Sequence, residues 1–168
     1  MFYRIYVGLG SNLGKRRANY QKALELISAL PQTRIVKRSS LYESEPIGDA
    51  KNWYVNGVIE LETEFTPEKL LRRLQAIEQA IGRKKTPTTK KWASRKIDLD
   101  ILFFDNYIVD TRTLKIPHPE IQNRRFVLLP LSELAPQLVH PRLGVSITSL
   151  LSSLKDDKKV LLLPPNGV

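Results

Sequence analysis

Cysteine is absent from the 168 residues. That excludes a disulfide framework and any metal site built on thiolates. Histidine is scarce, with only His118 and His140, and no Ser/His/Asp or Glu/His spacing supports a hydrolase triad or a histidine-based metal site. No segment reaches the roughly 18 apolar residues of a membrane span. The leading run MFYRIYVGLGSNLGKRR places its apolar residues before its charges, the reverse of a secretory leader. Internal repeats and low-complexity segments are also missing. These absences describe a soluble, cytoplasmic protein. At this length, with 42% hydrophobic and 26% charged residues, a single domain over residues 1–168 with a real core is expected.

Acidic residues are in short supply. The chain carries 27 basic and 17 acidic side chains, a net charge of +10, which favours an anionic partner: nucleic acid, a nucleotide or a membrane surface. Between Arg83 and Lys96 there are seven basic residues (Arg83, Lys84, Lys85, Lys90, Lys91, Arg95, Lys96) and no acid. Thr86 to Thr89 contains no apolar residue and includes Pro87, so the stretch reads as a mobile basic loop. The plain alternative is a solvated loop with no task.

The periodicity predicts an ordered series of elements. Tyr3 to Leu9 alternates as a strand, and Gly8, Gly10 and Gly14 punctuate a turn. Tyr20, Ala23, Leu24, Ile27 and Leu30 have helical spacing, ended by Pro31. Arg34 to Tyr42 reads as a strand, Ser44 to Asn52 as a loop, and Trp53 to Leu61 as a third strand. Thr66-Pro67-Glu68 opens a second helix with a capping hydroxyl, a first-turn proline and an acid at the positive end of the helix dipole. That helix stops at Gly82. The last core strand follows the basic loop. The order β-α-β-β-α-β predicts an α+β, ferredoxin-like core: an antiparallel sheet with helices packed on one face. A carboxyl-terminal extension then carries a strand pair near Tyr107 to Lys115, a proline-rich loop at Pro117 to Pro119, and helices near Phe126 to Leu134 and Ser146 to Leu154.

The last core strand, KIDLDILFF, places Asp98 and Asp100 inside an apolar run. Residues i and i+2 of a strand share a face, about 6.6 Å apart at their α-carbons. Ile97, Leu99, Ile101 and Phe103 are then expected on the other face, against the helices. Aspartate is a poor strand former, and two like charges repel. A divalent cation would relieve that repulsion, since magnesium takes one or two carboxylates together with substrate phosphates. The competing reading is a solvated face with nearby lysines. With Arg95, Arg83 and Lys85 just upstream, the constellation fits phosphoryl transfer.

Other segments are less specific. GLGSNLGK is one residue short of a Walker loop, lacks its hydroxyl, and reads better as a strand-to-helix turn. His118 lies between two prolines with Arg124 and Arg125 following, which suits either phosphate contact or a structural role. His140 reads as structural. Tyr54 and Asn56 share a strand face, where a ring and an amide could stack on and read a flat heterocycle, or could be ordinary half-buried and edge residues.

KWASRKIDLDIL resembles the signature of the 6-hydroxymethyl-7,8-dihydropterin pyrophosphokinase family, and Lys91 to Leu102 fits each of its positions. GLGSN, SSLYESEPIG, YVNGVIELET, IPHPEIQNRRFVLLPL and ELAPQLVHP extend the resemblance over nearly the whole chain. The resemblance implies transfer of pyrophosphate from ATP to the hydroxymethyl group of the pterin, in folate biosynthesis, giving AMP and the pterin diphosphate. It implies two Mg2+ ions at Asp98 and Asp100. Arg83, Arg95, Asp98 and Asp100 would be catalytic. ATP would meet Gln75, Arg83, Lys85, Arg95, His118 and Arg124. The pterin would lie between Tyr54 and Phe126, with its edge at Asn56, helped by Ser44, Pro46 and Ile47, under a lid carrying Trp92. Its implied partners are ATP and a reduced pterin, with no nucleic acid or membrane, and the chain is expected to be a monomer. Lys85 in place of an arginine, and Ala93-Ser94 in place of Gly-Pro, are mild departures that bear on phosphate contact and lid stiffness.

Two other classes compete. An RNA-recognition domain shares the element order and basic charge, but its aromatic-rich K/R-G-F/Y-G/A-F-V-x-F/Y strand is missing. A small phosphatase of the same fold would not need Asp98 and Asp100.

Overall fold

The computed structural model describes residues 1–46, 51–82 and 96–165. In chain order its elements are β1 (Tyr3–Ser11), α1 (Arg16–Ser28), β2 (Thr33–Arg38), β3 (Tyr42–Ser44), β4 (Tyr54–Thr63), α2 (Pro67–Ile81), β5 (Asp98–Phe104), β6 (Val109–Asp110), β7 (Lys115–Ile116), a 3-10 turn (Ile121–Asn123), α3 (Arg125–Leu134), α4 (Ile147–Ser152) and β8 (Val160–Leu162).

Alternation along β1 sends Ile5, Val7 and Leu9 to one face, where all three are buried. The stripes Tyr20-Ala23-Leu24-Ile27 of α1 and Leu70-Leu74-Ile77 of α2 pack onto that face. Helix α2 begins as its sequence dictates: Thr66 Oγ1 accepts the Lys69 N–H at 3.3 Å, and Pro67 occupies the first turn. It ends at Gly82, whose φ of 124° suits glycine.

The strands run in the order β5-β1-β4, with β2 and β3 both pairing with β4 and β8 added beyond β3; every pairing is antiparallel. This is the expected α+β, ferredoxin-like core with its two helices on one face. The extension supplies α3 and α4, whose Leu128, Leu131 and Ile147 pack against Tyr6, Val58, Leu102 and Phe103 on the opposite face. They cover only part of it. The remainder is the cleft described below.

Local differences from the sequence-based expectations have physical causes. The strand expected over Arg34 to Tyr42 is split into β2 and β3, and Ser39 bridges the break. Its N–H donates to the Val58 carbonyl and its Oγ accepts the Val58 N–H, both at 2.9 Å. Ser44 lies in β3 rather than a loop. Gly8 and Gly10 lie inside β1, not in a turn. On β5 the expected face assignment fails at its end. A register irregularity at Tyr6/Val7 pairs Val7 with Ile101 but Tyr6 with Phe103. Phe103 therefore packs with Tyr6 and α3, and Phe104 takes the place on the α1/α2 face. The strand pair and two helices of the extension form as expected, and β8 adds a strand the sequence pattern did not announce. Among the described residues no helix is long and apolar enough to cross a membrane.

Candidate active site

Two rows of residues cross the uncovered face of the sheet. In one, Gly10 of β1 pairs with Asn56 of β4 and with Asp98 of β5. In the next, Gly8 pairs with Val58 and with Asp100. The glycines therefore lie between the strand that carries the amide and the strand that carries the carboxylates. A β-carbon at Gly10 would stand 2.9 Å from Asn56 Oδ1 and 3.4 Å from the Tyr54 ring. The missing side chain is thus a requirement of the floor.

Above this floor opens a cleft of about 640 Å³. Its lining includes Tyr54, Asn56, Asp98, Asp100, His118, Arg124 and Phe126, contributed by β4, β5, the 117–119 loop and the start of α3. All seven are among the residues expected at the site from the sequence. Asn56 is 7% exposed, and its Nδ2 donates to the Oγ of buried Ser44. That bond turns Oδ1 toward Gly10 and leaves an acceptor on the cleft side. Phe126 lies in the first turn of α3, and the Arg124 guanidinium stands 5.6 Å from the centroid of its ring.

His118 is brought to the aspartate strand by a backbone bond, its N–H donating to the Leu102 carbonyl at 3.0 Å. Its Nδ1 accepts the Glu120 N–H at 3.1 Å, which makes Nε2 the donor of the neutral ring. Burial holds its pKa below the ordinary imidazole value of 6.5, against the opposing pull of Asp100. His140 is structural, as read. It is 4% exposed, its Nδ1 accepts the N–H groups of Arg142 and Leu143, and its ring meets Phe103 edge-on.

Glu78 is a functional candidate that the sequence reading missed. It is 4% exposed, and its Oε2 accepts the Leu99 N–H at 2.8 Å. Among the described residues β5 is the outer strand of the sheet, so this carboxylate satisfies an edge N–H of the residue between Asp98 and Asp100. The available signal was a carboxylate four residues after Leu74, on the buried stripe of α2.

Not every nominated residue joins the cleft. Gln75 is half-buried on α2 and Pro46 half-buried after β3, and neither is among the described lining residues. Ser44 lines an adjoining chamber of about 260 Å³, which shares Glu120, Arg124 and Phe126 with the cleft. Ile47, Arg83, Lys85, Trp92 and Arg95 lie outside the described residues.

Among the described residues no cluster of three or more His, Cys, Asp or Glu could hold a metal by itself. Asp98 and Asp100 offer two hard oxygen donors on one strand face, opposed by glycines that leave room above them. That set fits magnesium, which completes its shell with water and substrate phosphates, and does not fit a metal that needs an all-protein cage.

Residues 6–136 match the family model of 7,8-dihydro-6-hydroxymethylpterin-pyrophosphokinase. The 2-amino-4-hydroxy-6-hydroxymethyldihydropteridine pyrophosphokinase of Pseudomonas aeruginosa is 46% identical over 142 residues, covering 84% of this chain and 86% of that protein. The protein of the same name from Haemophilus influenzae is 42% identical over 160 residues, 95% of this chain and 98% of that one. Among solved structures, a Plasmodium falciparum HPPK-DHPS triple mutant with SDX-DHP superimposes with a TM-score of 0.71 at 17% identity, over 90% of this chain. The chain spans 44% of that longer polypeptide, and the likeness speaks to the fold.

Sheet order, acidic cleft and relatives together define a diphosphokinase. The chain belongs to the 7,8-dihydro-6-hydroxymethylpterin-pyrophosphokinase family, whose function is pyrophosphoryl transfer to hydroxymethyldihydropterin in folate biosynthesis.

Proposed function

We propose that this chain uses ATP and magnesium to convert 6-hydroxymethyl-7,8-dihydropterin to its diphosphate. The hydroxymethyl oxygen attacks the β-phosphorus, the bond from that phosphorus to the α–β bridging oxygen breaks, AMP leaves, and the hydroxyl proton is lost. The observation that carries this reading is the row Asn56–Gly10–Asp98, which sets a heterocycle-reading amide and a metal-binding carboxylate on either side of a bare floor.

Each side chain then has a task. Asn56 Oδ1 accepts from the pterin edge while Ser44 fixes the amide. Tyr54 and Phe126 bracket the ring from β4 and α3. The His118 Nε2–H and the Arg124 guanidinium donate to the triphosphate. Asp98 and Asp100 would hold magnesium, as two ions, which when bound neutralises and orients the phosphates. Arg83, Lys85 and Arg95 are assigned to the transferring phosphates and Trp92 to a lid that excludes water, with Pro46 and Ile47 beside the pterin and Gln75 on the nucleotide side. The chain is assigned as one domain over residues 1–168, acting as a cytoplasmic monomer.

The test is product identity. Protein, ATP, magnesium and 6-hydroxymethyl-7,8-dihydropterin are incubated and the nucleotides separated. AMP that appears only with pterin present is the expected result. ADP with free phosphate would mean attack at the γ-phosphorus and would overturn the mechanism.

A further inference from the structure

Helix α3 starts at Arg125, and the side chain before it, Arg124, gives no capping bond. The first N–H groups of a helix need acceptors. The Arg125 N–H finds one 31 residues away: Asp156 Oδ2 accepts it at 3.0 Å. Arg125 Nη2 also donates to the Asp156 carbonyl at 3.2 Å. The other carboxylate oxygen, Oδ1, accepts the Lys158 N–H at 3.0 Å, which fixes the side chain.

The same segment then crosses to the sheet. Val160 pairs with Ser44, the Lys159 N–H donates to Glu45 Oε1 at 2.6 Å, and the Glu45 N–H donates back to the Lys159 carbonyl at 3.1 Å. One strap thus joins the helix start between Arg124 and Phe126 to the strand whose Ser44 holds Asn56. Its Asp156, Lys158 and Val160 line the 260 Å³ chamber that Phe126 also lines, and the strap lies beyond residues 6–136, the part that the family model matches.

We infer that Asp156 is a positioning residue for this reaction: by capping α3 from the carboxyl-terminal strap it sets Phe126 and Arg124 against their ligands. The inference rests on the proposed roles of Phe126 and Arg124. An anionic cap also suits the positive end of the helix dipole.

Asp156→Ala and Asp156→Asn in the full chain, with Phe126→Ala and the Asp156→Ala/Phe126→Ala pair, test it by steady-state kinetics for pterin and ATP. Asp156→Ala should raise the pterin KM about fivefold to tenfold, the scale of a lost cap, with kcat little changed. Asp156→Asn keeps an acceptor oxygen and should restore most of the loss, whereas Asp156→Leu, of similar bulk but with no acceptor, should not, which separates capping from bulk packing. The double variant should bind pterin no worse than Phe126→Ala, because Asp156 acts through that ring. If Phe126→Ala leaves the pterin KM unchanged, the site reading itself fails. If Phe126→Ala weakens pterin binding but Asp156→Ala moves neither KM, or the two effects multiply, the strap inference is overturned. Should the alanine variant not fold, Asp156→Leu takes its place, and a wild-type pterin KM in Asp156→Leu, set beside a weakened Phe126→Ala, overturns the inference equally.

Discussion

Gly10 and Asn56 are direct partners across β1 and β4, and a β-carbon on Gly10 would reach within 2.9 Å of the Asn56 amide oxygen. Asn56 cannot simply retreat, because Ser44 holds its nitrogen. Gly10→Ala should therefore rotate the amide or push the Tyr54 ring, 3.4 Å from the same point. The pterin KM should rise about tenfold, the scale of one lost hydrogen bond in a buried site, while the ATP KM changes less. Kinetics for each substrate separately decide the matter. An equal rise in both KM values would mean general damage to β1.

Asp98 and Asp100 separate activity from stability. They share a strand face without an opposing side chain from β1, since glycines pair with both. Asp100→Ala should cost several kcal/mol of barrier, on the order of a thousandfold in kcat. Thermal unfolding without magnesium should show no loss, because one of two like charges has gone. Assay by AMP release and calorimetry of the same sample test both halves. Near-normal turnover would remove the carboxylates from the mechanism.

Glu78 should behave in the opposite way. Its carboxylate is buried and accepts the Leu99 N–H at 2.8 Å. Glu78→Ala leaves that edge N–H without its acceptor, at about 1–3 kcal/mol. The same change frees the backbone between the aspartates, so activity should fall with stability. Glu78→Gln keeps an oxygen at the same reach and should retain most of both. Denaturant midpoints and kcat for the pair of variants check this, and an unchanged midpoint in Glu78→Ala would contradict it.

Much of this architecture is legible in the amino-acid sequence. The period-three-and-four stripes of α1 and α2 and the alternation of β1 and β4 carry strong signals because one face of each is buried. Asp98 and Asp100 stood out because acids in an apolar strand break its pattern. The missed features share a different cause: each depends on a contact between distant segments. Gly8 and Gly10 look like turn residues until β4 and β5 flank them. Glu78 falls on the buried stripe of α2, but its partner is not evident until β5 docks beside it. β8 is a short, largely exposed strand with no alternation to detect, and Phe103 changes face because of an irregularity shared between two strands.

His118 allows the two ends of one ring to be tested apart. Nδ1 is occupied by the Glu120 N–H at 3.1 Å, so Nε2 is the donor that a residue lining the cleft can offer to phosphate. His118→Asn keeps a polar atom near the Nδ1 position and loses the far donor. His118→Gln places its amide nitrogen near Nε2 and gives up the Glu120 contact. If the ring binds nucleotide through Nε2, Asn should raise the ATP KM about tenfold or more, in line with a hydrogen bond to a charged group, and Gln should lie much closer to wild type. If the ring serves only to shape the 117–120 loop, the order reverses: Asn is benign and Gln lowers the unfolding temperature. ATP titrations and melting curves on the two variants distinguish these outcomes.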